Sequence, residues 1–235
     1  MAVVIPSAEQ VGALYTVPRS DWVAINNRVA IVIEVQGIAN QISRYVPNYN
    51  SLLAACQQWK STTLPTLIAQ AVQASLFATR ASSTLTTLSG ELAPLEPSDP
   101  LPDTVRFIFR VQFEALQQDA GKLSQAAGQT TPQITNFVAQ NRAADVSLEK
   151  VLHELGPAWE QIGGPITTLE GAMSDVQSGW NAVQTAFGDA AASEPTLTTA
   201  ELLSADVQAA ITSWNAVAQD AAEFDSQVSS QTSTV

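Results

Sequence analysis

Two stretches near the carboxyl end of the chain place an apolar residue at alternating intervals of three and four positions. One series is Ile166, Leu169, Met173, Val176, Trp180, Val183 and Phe187, and the other is Val207, Ala210, Trp214, Val217, Ala221, Phe224 and Val228. This heptad spacing puts each series on one helix face, which has to be buried against neighbouring elements. The sequence therefore predicts two long helices with Trp180 and Trp214 in a packed seam.

The two predicted helices share the motif Trp-Asn-Ala-Val and are separated by a clear interruption. Gly188 and the stretch SEPTLTTAELL (residues 193–203) end the first spacing, and Thr198 or Thr199 with Glu201 offers an N-cap for the second helix. We therefore expect an antiparallel hairpin in which the two seams lie on adjacent helices. The residues expected to make its packing contacts are Val176, Trp180, Val183, Phe187, Trp214, Val217 and Phe224.

Helical spacing also covers most of the remaining sequence. It runs from Ser20 to Tyr45, from about Pro65 to Leu88, and from Pro132 to Leu155. The polar tail 229–235 is predicted to be disordered. These patterns indicate an all-α fold, an elongated up-and-down bundle of five or six long antiparallel helices, in one domain that covers residues 1–235.

Residues 92–113 interrupt the helical pattern near the middle of the chain. Four of the twelve prolines lie within residues 94–102, which excludes a helix there. The following stretch, VRFIFRVQF (residues 105–113), alternates in period two, as a strand does. However, Asp103 is a good helix cap and the stretch leads directly into helix-forming sequence, so a helix is favoured over an isolated strand without a partner.

This candidate head segment concentrates three of the seven phenylalanines beside two arginines. The aromatic rings could enter a lipid interface while the arginines meet the headgroups, or the rings could pack in the bundle core. Roughly nine such residues cannot span a bilayer, which takes about 20. The candidate membrane-contact residues are Val105, Arg106, Phe107, Ile108, Phe109, Arg110 and Phe113.

The charges are distributed unevenly along the chain. The first 150 residues contain all 10 Lys and Arg and 11 of the 22 acidic residues, whereas the last 85 contain the other 11 acidic residues. The net charges are thus −1 and −11, which makes nucleic acid and anionic lipid poor partners for the carboxyl-terminal part. This part is either a solvated acidic face or a docking surface for a basic partner.

The composition offers little material for catalysis or cofactor binding. A single Cys56 cannot form an internal disulfide, and one His153 with one cysteine is too few for a zinc site. Glu34 or Glu149 with His153 is the one enzyme hypothesis that the sequence suggests, and it lacks a second catalytic group. We therefore expect no enzyme, no cofactor and no metal.

The amino-terminal stretch MAVVIPSAEQ has no basic start and no apolar core of the length found in signal peptides. The longest strongly apolar run, residues 29–33, is far shorter than a membrane span. We expect a chain that is made soluble and that, if exported, leaves the cell without a cleavable signal peptide.

The long antiparallel helices, the mid-chain apolar interruption and the late helices PITTLEGAMSDVQSGWNAVQTAF and LLSADVQAAITSWNAVAQDAAEF resemble the α-helical pore-forming toxins. That group includes cytolysin A, the haemolysin BL and non-haemolytic enterotoxin components, and the xenorhabdolysins. The resemblance implies a soluble, secreted monomer whose head segment meets the membrane while the bundle rearranges into an oligomeric pore. Family members carry a long hydrophobic hairpin where this chain has prolines, which favours one component acting with companion toxin subunits.

A second hypothesis is a secreted or structural helical adaptor that binds a protein through its acidic carboxyl-terminal helices. The two hypotheses differ in lipid binding, because a toxin component should associate with liposomes or cells and an adaptor should not. The sequence does not identify the partner, the target cell or the stoichiometry.

Overall fold

A computed structural model describes residues 5–8, 11, 15–149 and 162–232. All regular secondary structure in these residues is helical, which confirms the predicted all-α bundle. The helices are α1 (Arg19–Glu34), α2 (Ala39–Ile42), α3 (Tyr49–Gln58), α4 (Leu64–Leu92), α5 (Asp103–Phe107), α6 (Phe113–Glu149), α7 (Gly163–Ser193), α8 (Thr199–Leu203) and α9 (Val207–Thr232). Short 3-10 turns follow α1 (Val35–Ile38) and α7 (Glu194–Thr196).

Single π-helical turns join neighbouring helices into two very long ones. The turn Trp59–Thr63 connects α3 to α4, and the turn Ile108–Gln112 connects α5 to α6. The first turn immediately precedes Pro65, near which the sequence predicts the start of a new helix. Because proline has no N–H to donate, the wider turn lets the helix pass a residue that would otherwise interrupt its hydrogen bonds.

Four long helices, α4, α6, α7 and α9, run side by side in alternating directions. Between α6 and α7, Arg142 pairs with Glu170 at 2.9 Å and Ser124 pairs with Asn181 at 2.5 Å, so residue numbers rise on one helix as they fall on the other. The same antiparallel relation holds for α4 with α9, through Ser75–Ala218 and Ser82–Asn215, and for α4 with α6, through Gln70–Thr130 and Arg80–Asp119. This is the up-and-down topology.

Small residues bring these helices together as two close pairs, α6 with α7 and α4 with α9. On the α4 side, Ala71, Ala74, Ala78 and Ala81 are buried, and Ser75 Oγ donates to the Ala218 carbonyl of α9 at 3.0 Å. In the α6/α7 interface Gly121, Gly128 and Gly188 lie against glutamine side chains of the opposite helix. Side chains of this size allow two helix backbones to approach closely.

Large aromatic residues keep α7 and α9 further apart. Phe187 of α7 and Trp214 of α9 meet with ring centroids 6.1 Å apart, and Phe77 of α4 contacts both rings. Each helix packs mainly on another partner, α7 on α6 and α9 on α4. The two seams therefore meet through aromatic rings in an antiparallel arrangement, while the closest backbone partners are α6 and α4, because helix spacing follows side-chain size and both seams carry bulky residues.

Several predicted helix ends also differ from the structure. α6 continues through Pro132, and α7 continues through Gly188, because contacts along the whole helix override the weak helix preference of one residue. The predicted cap at Thr198 with Glu201 is confirmed, although it caps the short α8 rather than α9. α9 reaches Thr232, so residues 229–232 of the predicted disordered tail are helical, and the rest of the tail lies outside the described residues.

Candidate functional site

The candidate head segment lies at one end of the bundle, where α4, α5, α8 and the start of α9 meet. The Pro-rich loop 93–102 connects α4 to α5 and contacts α8, since Thr199 Oγ1 donates to the Asp99 carbonyl at 2.6 Å. Arg106 of α5 forms an ion pair with Glu194 after α7 at 3.1 Å. These contacts attach the segment to the bundle at both of its sides. We call this region the α5 end.

Residues 103–149 form one helical path, so the favoured helix over 105–113 is confirmed and the strand is not formed. Two exposed apolar residues explain why the sequence resembled a strand. The buried side chains Val105, Ile108, Phe109 and Phe113 are separated by three, one and four positions, a helical pattern that the wider turn rotates locally. The apparent period of two results from Phe107 and Val111, which are apolar but lie on the exposed face between these buried positions.

Four of the seven candidate membrane-contact residues are therefore core residues. Val105, Ile108, Phe109 and Phe113 have no exposed surface, and the Phe109 and Phe113 rings lie 4.7 Å apart. The structure contradicts their assignment as a surface that faces lipid in this conformation. The physical reason is that α4 and α7 pack against this face of the helix.

Phe107, Arg106 and Arg110 remain at the surface. Phe107 is 45% exposed, and Val111, one turn further on and absent from the candidate set, is 41% exposed. Arg110 lies exposed between them. Residues four apart share a helix face, so Phe107 and Val111 form one apolar stripe with an arginine beside it. Val111 belongs to the alternating apolar series 105–113, so the sequence alone was sufficient to add Val111 to the candidate membrane-contact residues.

The seven predicted packing residues of α7 and α9 are all buried. Phe77 of α4 is the common neighbour of the aromatic residues Trp180, Phe187 and Trp214, with ring centroids 5.1 Å from Trp180 and 5.2 Å from Trp214. Phe77 was not identified from the sequence, because the heptad pattern names the residues of a seam and not the residues opposite it. This aromatic layer is the centre of the core.

An amino-terminal segment, the described residues between 5 and 17, closes the space between α7 and α9. Trp214 Nε1 donates to the Pro6 carbonyl at 3.0 Å, and the Ala8 N–H donates to Ser213 Oγ at 3.1 Å. Tyr15 packs edge-on against Phe224 and shares a hydrogen bond with Trp180, while burial raises the pKa of its hydroxyl far above the usual value. The heptad pattern does not reveal this segment, whose short sequence carries no periodicity.

The acidic carboxyl-terminal part is less free than its charge suggests. Residues 162–232 contain nine Asp and Glu and no Lys or Arg. Glu170 and Glu194 pair with arginines from α6 and α5. The Glu201 carboxylate accepts from the N–H of Thr198, the cap residue before α8, and Asp206 accepts from the Ala209 N–H in the first turn of α9. The Thr198 hydroxyl and N–H lower the pKa of Glu201. Much of this charge therefore stabilises the bundle itself.

A buried polar cluster lies between α1, α3 and α6 at the opposite end of the bundle. Arg28 has 2% of its side chain exposed and pairs with Asp145 at 2.9 Å. Burial raises the pKa of the nearby Cys56 thiol to about 12, and the Arg28 charge partly opposes that shift. A neutral, inaccessible thiol is a poor nucleophile, so this cluster has a structural role. In the sequence, the feature that indicates this buried cluster is the charged residue Asp145 within an otherwise apolar helical series.

An open valley separates α4 from α6 and encloses about 640 Å³. Its walls are formed by Thr66, Ala69, Gln70, Gln73, Leu76, Phe77 and Arg80 on α4 and by Asp119, Lys122, Leu123, Ala126, Gln129, Thr130 and Gln133 on α6. The volume is in the range of ligand sites, but one side is open to solvent. We call this feature the α4/α6 valley.

The His153 imidazole and the Glu149 carboxylate, named in the enzyme hypothesis, lie outside the described side chains. Among the residues that the structure describes, no group of His, Cys, Asp and Glu is arranged to hold a metal ion. No helix in the same residues has the length and apolarity that crossing a membrane requires. No protein-family model matches the sequence, and the curated proteins contain no match to it.

Proposed function

We propose that this chain is a soluble, non-catalytic component of an α-helical pore-forming toxin, which acts with companion subunits by associating with a membrane and oligomerising. Lipid is first contacted by the α5 end. The observation that carries the proposal is the exposed stripe of Phe107 and Val111, with Arg106 and Arg110 beside it. Apolar rings next to cationic side chains suit the boundary between acyl chains and headgroups.

The buried part of the segment has a second role in this proposal. Val105, Ile108, Phe109 and Phe113 are a reserve of apolar surface that becomes available to lipid only when the bundle opens. In the closed state the chain presents a small contact area, so its membrane binding alone is weak and reversible. Companion subunits then supply the additional interactions that drive opening.

The proposal is tested by flotation of the protein with liposomes, with and without candidate companion proteins. Changing Phe107→Ser together with Val111→Ser removes the exposed stripe and leaves the core intact, so we expect lipid association or companion-dependent lysis to fall while the unfolding temperature is unchanged. Val72→Ser on α4 is the matched control, since Val72 is similarly exposed at 39% and lies away from the α5 end. Equal lipid association of the double variant and the parent protein would contradict the proposal.

The second candidate function is a secreted or structural adaptor that binds a basic protein through α7 and α9. Asp175 and Asp189 favour it, because both are exposed and they are fourteen residues apart, on the same face of α7. For this function the association rate should fall steeply as salt rises from low to physiological concentration. Binding of a basic protein without any lipid association would select this function over the first.

A further inference from the structure

One side of the four long helices is not covered by any of the described residues. Small residues close the α6/α7 and α4/α9 sides, and the amino-terminal segment with α1 fills the α7/α9 side. The remaining side is the α4/α6 valley, directly opposite. In this bundle the amino-terminal segment already fills the wide gap between α7 and α9. A second gap of this kind can therefore accept a polypeptide, provided that the side chains lining the gap offer anchoring points.

The valley has a defined length and apolar anchoring points. Two contacts join its walls, Gln70 to Thr130 at 2.8 Å and Arg80 to Asp119 at 2.8 Å. Residues 70 and 80 are ten positions apart, about 15 Å of helix, which matches about three turns of a docked helix. Leu76 lies between these contacts with 60% of its surface exposed, the largest exposure among the large apolar residues of the described chain.

Charge identifies the kind of segment that the valley accepts. Arg80 and Lys122 both pair with the single carboxylate of Asp119, at 2.8 and 2.7 Å, which leaves one positive charge without compensation. The whole chain carries −12, so this local excess is unlike the rest of the molecule. A carboxylate on an incoming helix would complete the group as an ion pair at the rim.

We propose that the α4/α6 valley is the docking site for an amphipathic helix of a protein partner, which places apolar residues over Leu76 and Leu123 and a carboxylate beside Arg80 and Lys122. This is the helix-in-groove mode of recognition. This docking proposal rests on the proposed function only where it identifies the partner as a companion subunit. The binding chemistry itself does not involve lipid.

The test is a lipid-free titration of a fluorescent designed peptide of about 18 residues, about five helical turns, with leucine at the heptad core positions and glutamate beside them. A second peptide replaces the glutamates by lysines. We expect the glutamate peptide to bind at least about tenfold more tightly than the lysine peptide at low salt. Leu76→Asp and Lys122→Glu should each weaken binding of the glutamate peptide about tenfold.

Thr185→Asp on the exposed face of α7 is the matched control and should leave the affinity unchanged. Leu76 and Lys122 are both at the surface, so these variants should fold, and an unchanged unfolding temperature verifies it. No binding, equal binding of the two peptides, or equal binding by all variants would overturn the proposal. Loss of liposome flotation in Leu76→Asp without any peptide binding would overturn it in favour of a lipid contact.

Discussion

Cys56 illustrates how the chemistry of a side chain depends on the residues packed around it. The sequence contains one cysteine and gives no indication of its reactivity, whereas the structure buries it completely between α1, α3 and α6. Removal from water disfavours the thiolate, which raises the thiol pKa to about 12. The single cysteine is thus held in its unreactive form.

We predict that the Cys56 thiol of the native protein does not react with a disulfide reagent at pH 8 and reacts at once in denaturant. The folded chain holds the thiol proton more tightly than the unfolded chain, whose pKa is near 9.0. This contribution to stability is complete below about pH 9 and is lost as the pH rises towards 12. Thiol labelling and denaturant midpoints at pH 8 and 10 measure both effects, and rapid labelling of the native protein would contradict them.

Phe107 and Phe109 are two positions apart in the sequence, yet Phe107 is 45% exposed and Phe109 is fully buried. Phe107→Ser should lower the free energy of unfolding by no more than about 1 kcal/mol, because almost half of its surface is already in water. Phe109→Ser should cost about 3–5 kcal/mol, because it leaves a cavity and a buried hydroxyl. Urea denaturation of the two single variants compares them directly, and equal losses of stability would refute the assigned exposures.

At the scale of elements, a regular series of matched pairs holds α6 and α7 in register. Glutamine side chains lie against glycines at Gln117–Gly188, Gly121–Gln184 and Gly128–Gln177, and Ser124 pairs with Asn181 in the same series. Each pair combines a small residue with an amide, which lets the helices approach while the amide fills the space beside the missing side chain. The α6/α7 pair is thus fixed by residue size as well as by burial.

Gly128→Leu should destabilise the protein by about 1–3 kcal/mol, because a Cβ at Gly128 would already lie 3.0 Å from the Gln177 amide nitrogen. Gly171→Ala is the control on α7, where no atom lies within 4 Å of an added Cβ. The control should stabilise the helix by about 0.5–1 kcal/mol. Thermal unfolding distinguishes the two, and a Gly128→Leu protein as stable as the parent would exclude close α6/α7 packing.

At the scale of the whole molecule, the amino-terminal segment completes the core. Ile5, Val11, Tyr15 and Val17 are buried, and Pro6 accepts the hydrogen bond of the Trp214 indole. Without this segment, both seam tryptophans would border an open apolar gap between α7 and α9. The first residues of the chain therefore protect helices that begin about 160 and 200 positions later.

Deletion of residues 1–17 should lower the unfolding temperature, increase binding of an apolar dye and shift the tryptophan emission to longer wavelength. The reason is that Trp180 and Trp214 lose their cover and Trp214 loses a buried acceptor. Ser213→Ala is the milder control: it removes the contact with the Ala8 N–H and the local hydrogen bond from the Ser213 hydroxyl to the Ala210 carbonyl, at a cost of about 1 kcal/mol. A truncated protein with unchanged emission and stability would show that the segment is dispensable.

The helical class and the buried faces of α7 and α9 could be predicted from the amino-acid sequence. The three-and-four spacing of their apolar residues depends only on the geometry of the α-helix, which is local, so it can be recognised without knowing the neighbours. The same is true of the Pro-rich loop and of the Thr198 cap, where adjacent residues supply all of the chemistry.

Only packing between distant parts of the chain decides which helices lie close together. It also decides which of the candidate membrane-contact residues reach the surface. α7 and α9 are separated because their aromatic side chains are large, and α6 and α7 are close because glycines face glutamines. Phe107 is exposed while Phe109 is covered, since residues two positions apart lie on nearly opposite faces of a helix and the neighbouring helices cover a single side. Distances between helices arise from side chains far apart in sequence, and local periodicity contains no information about them.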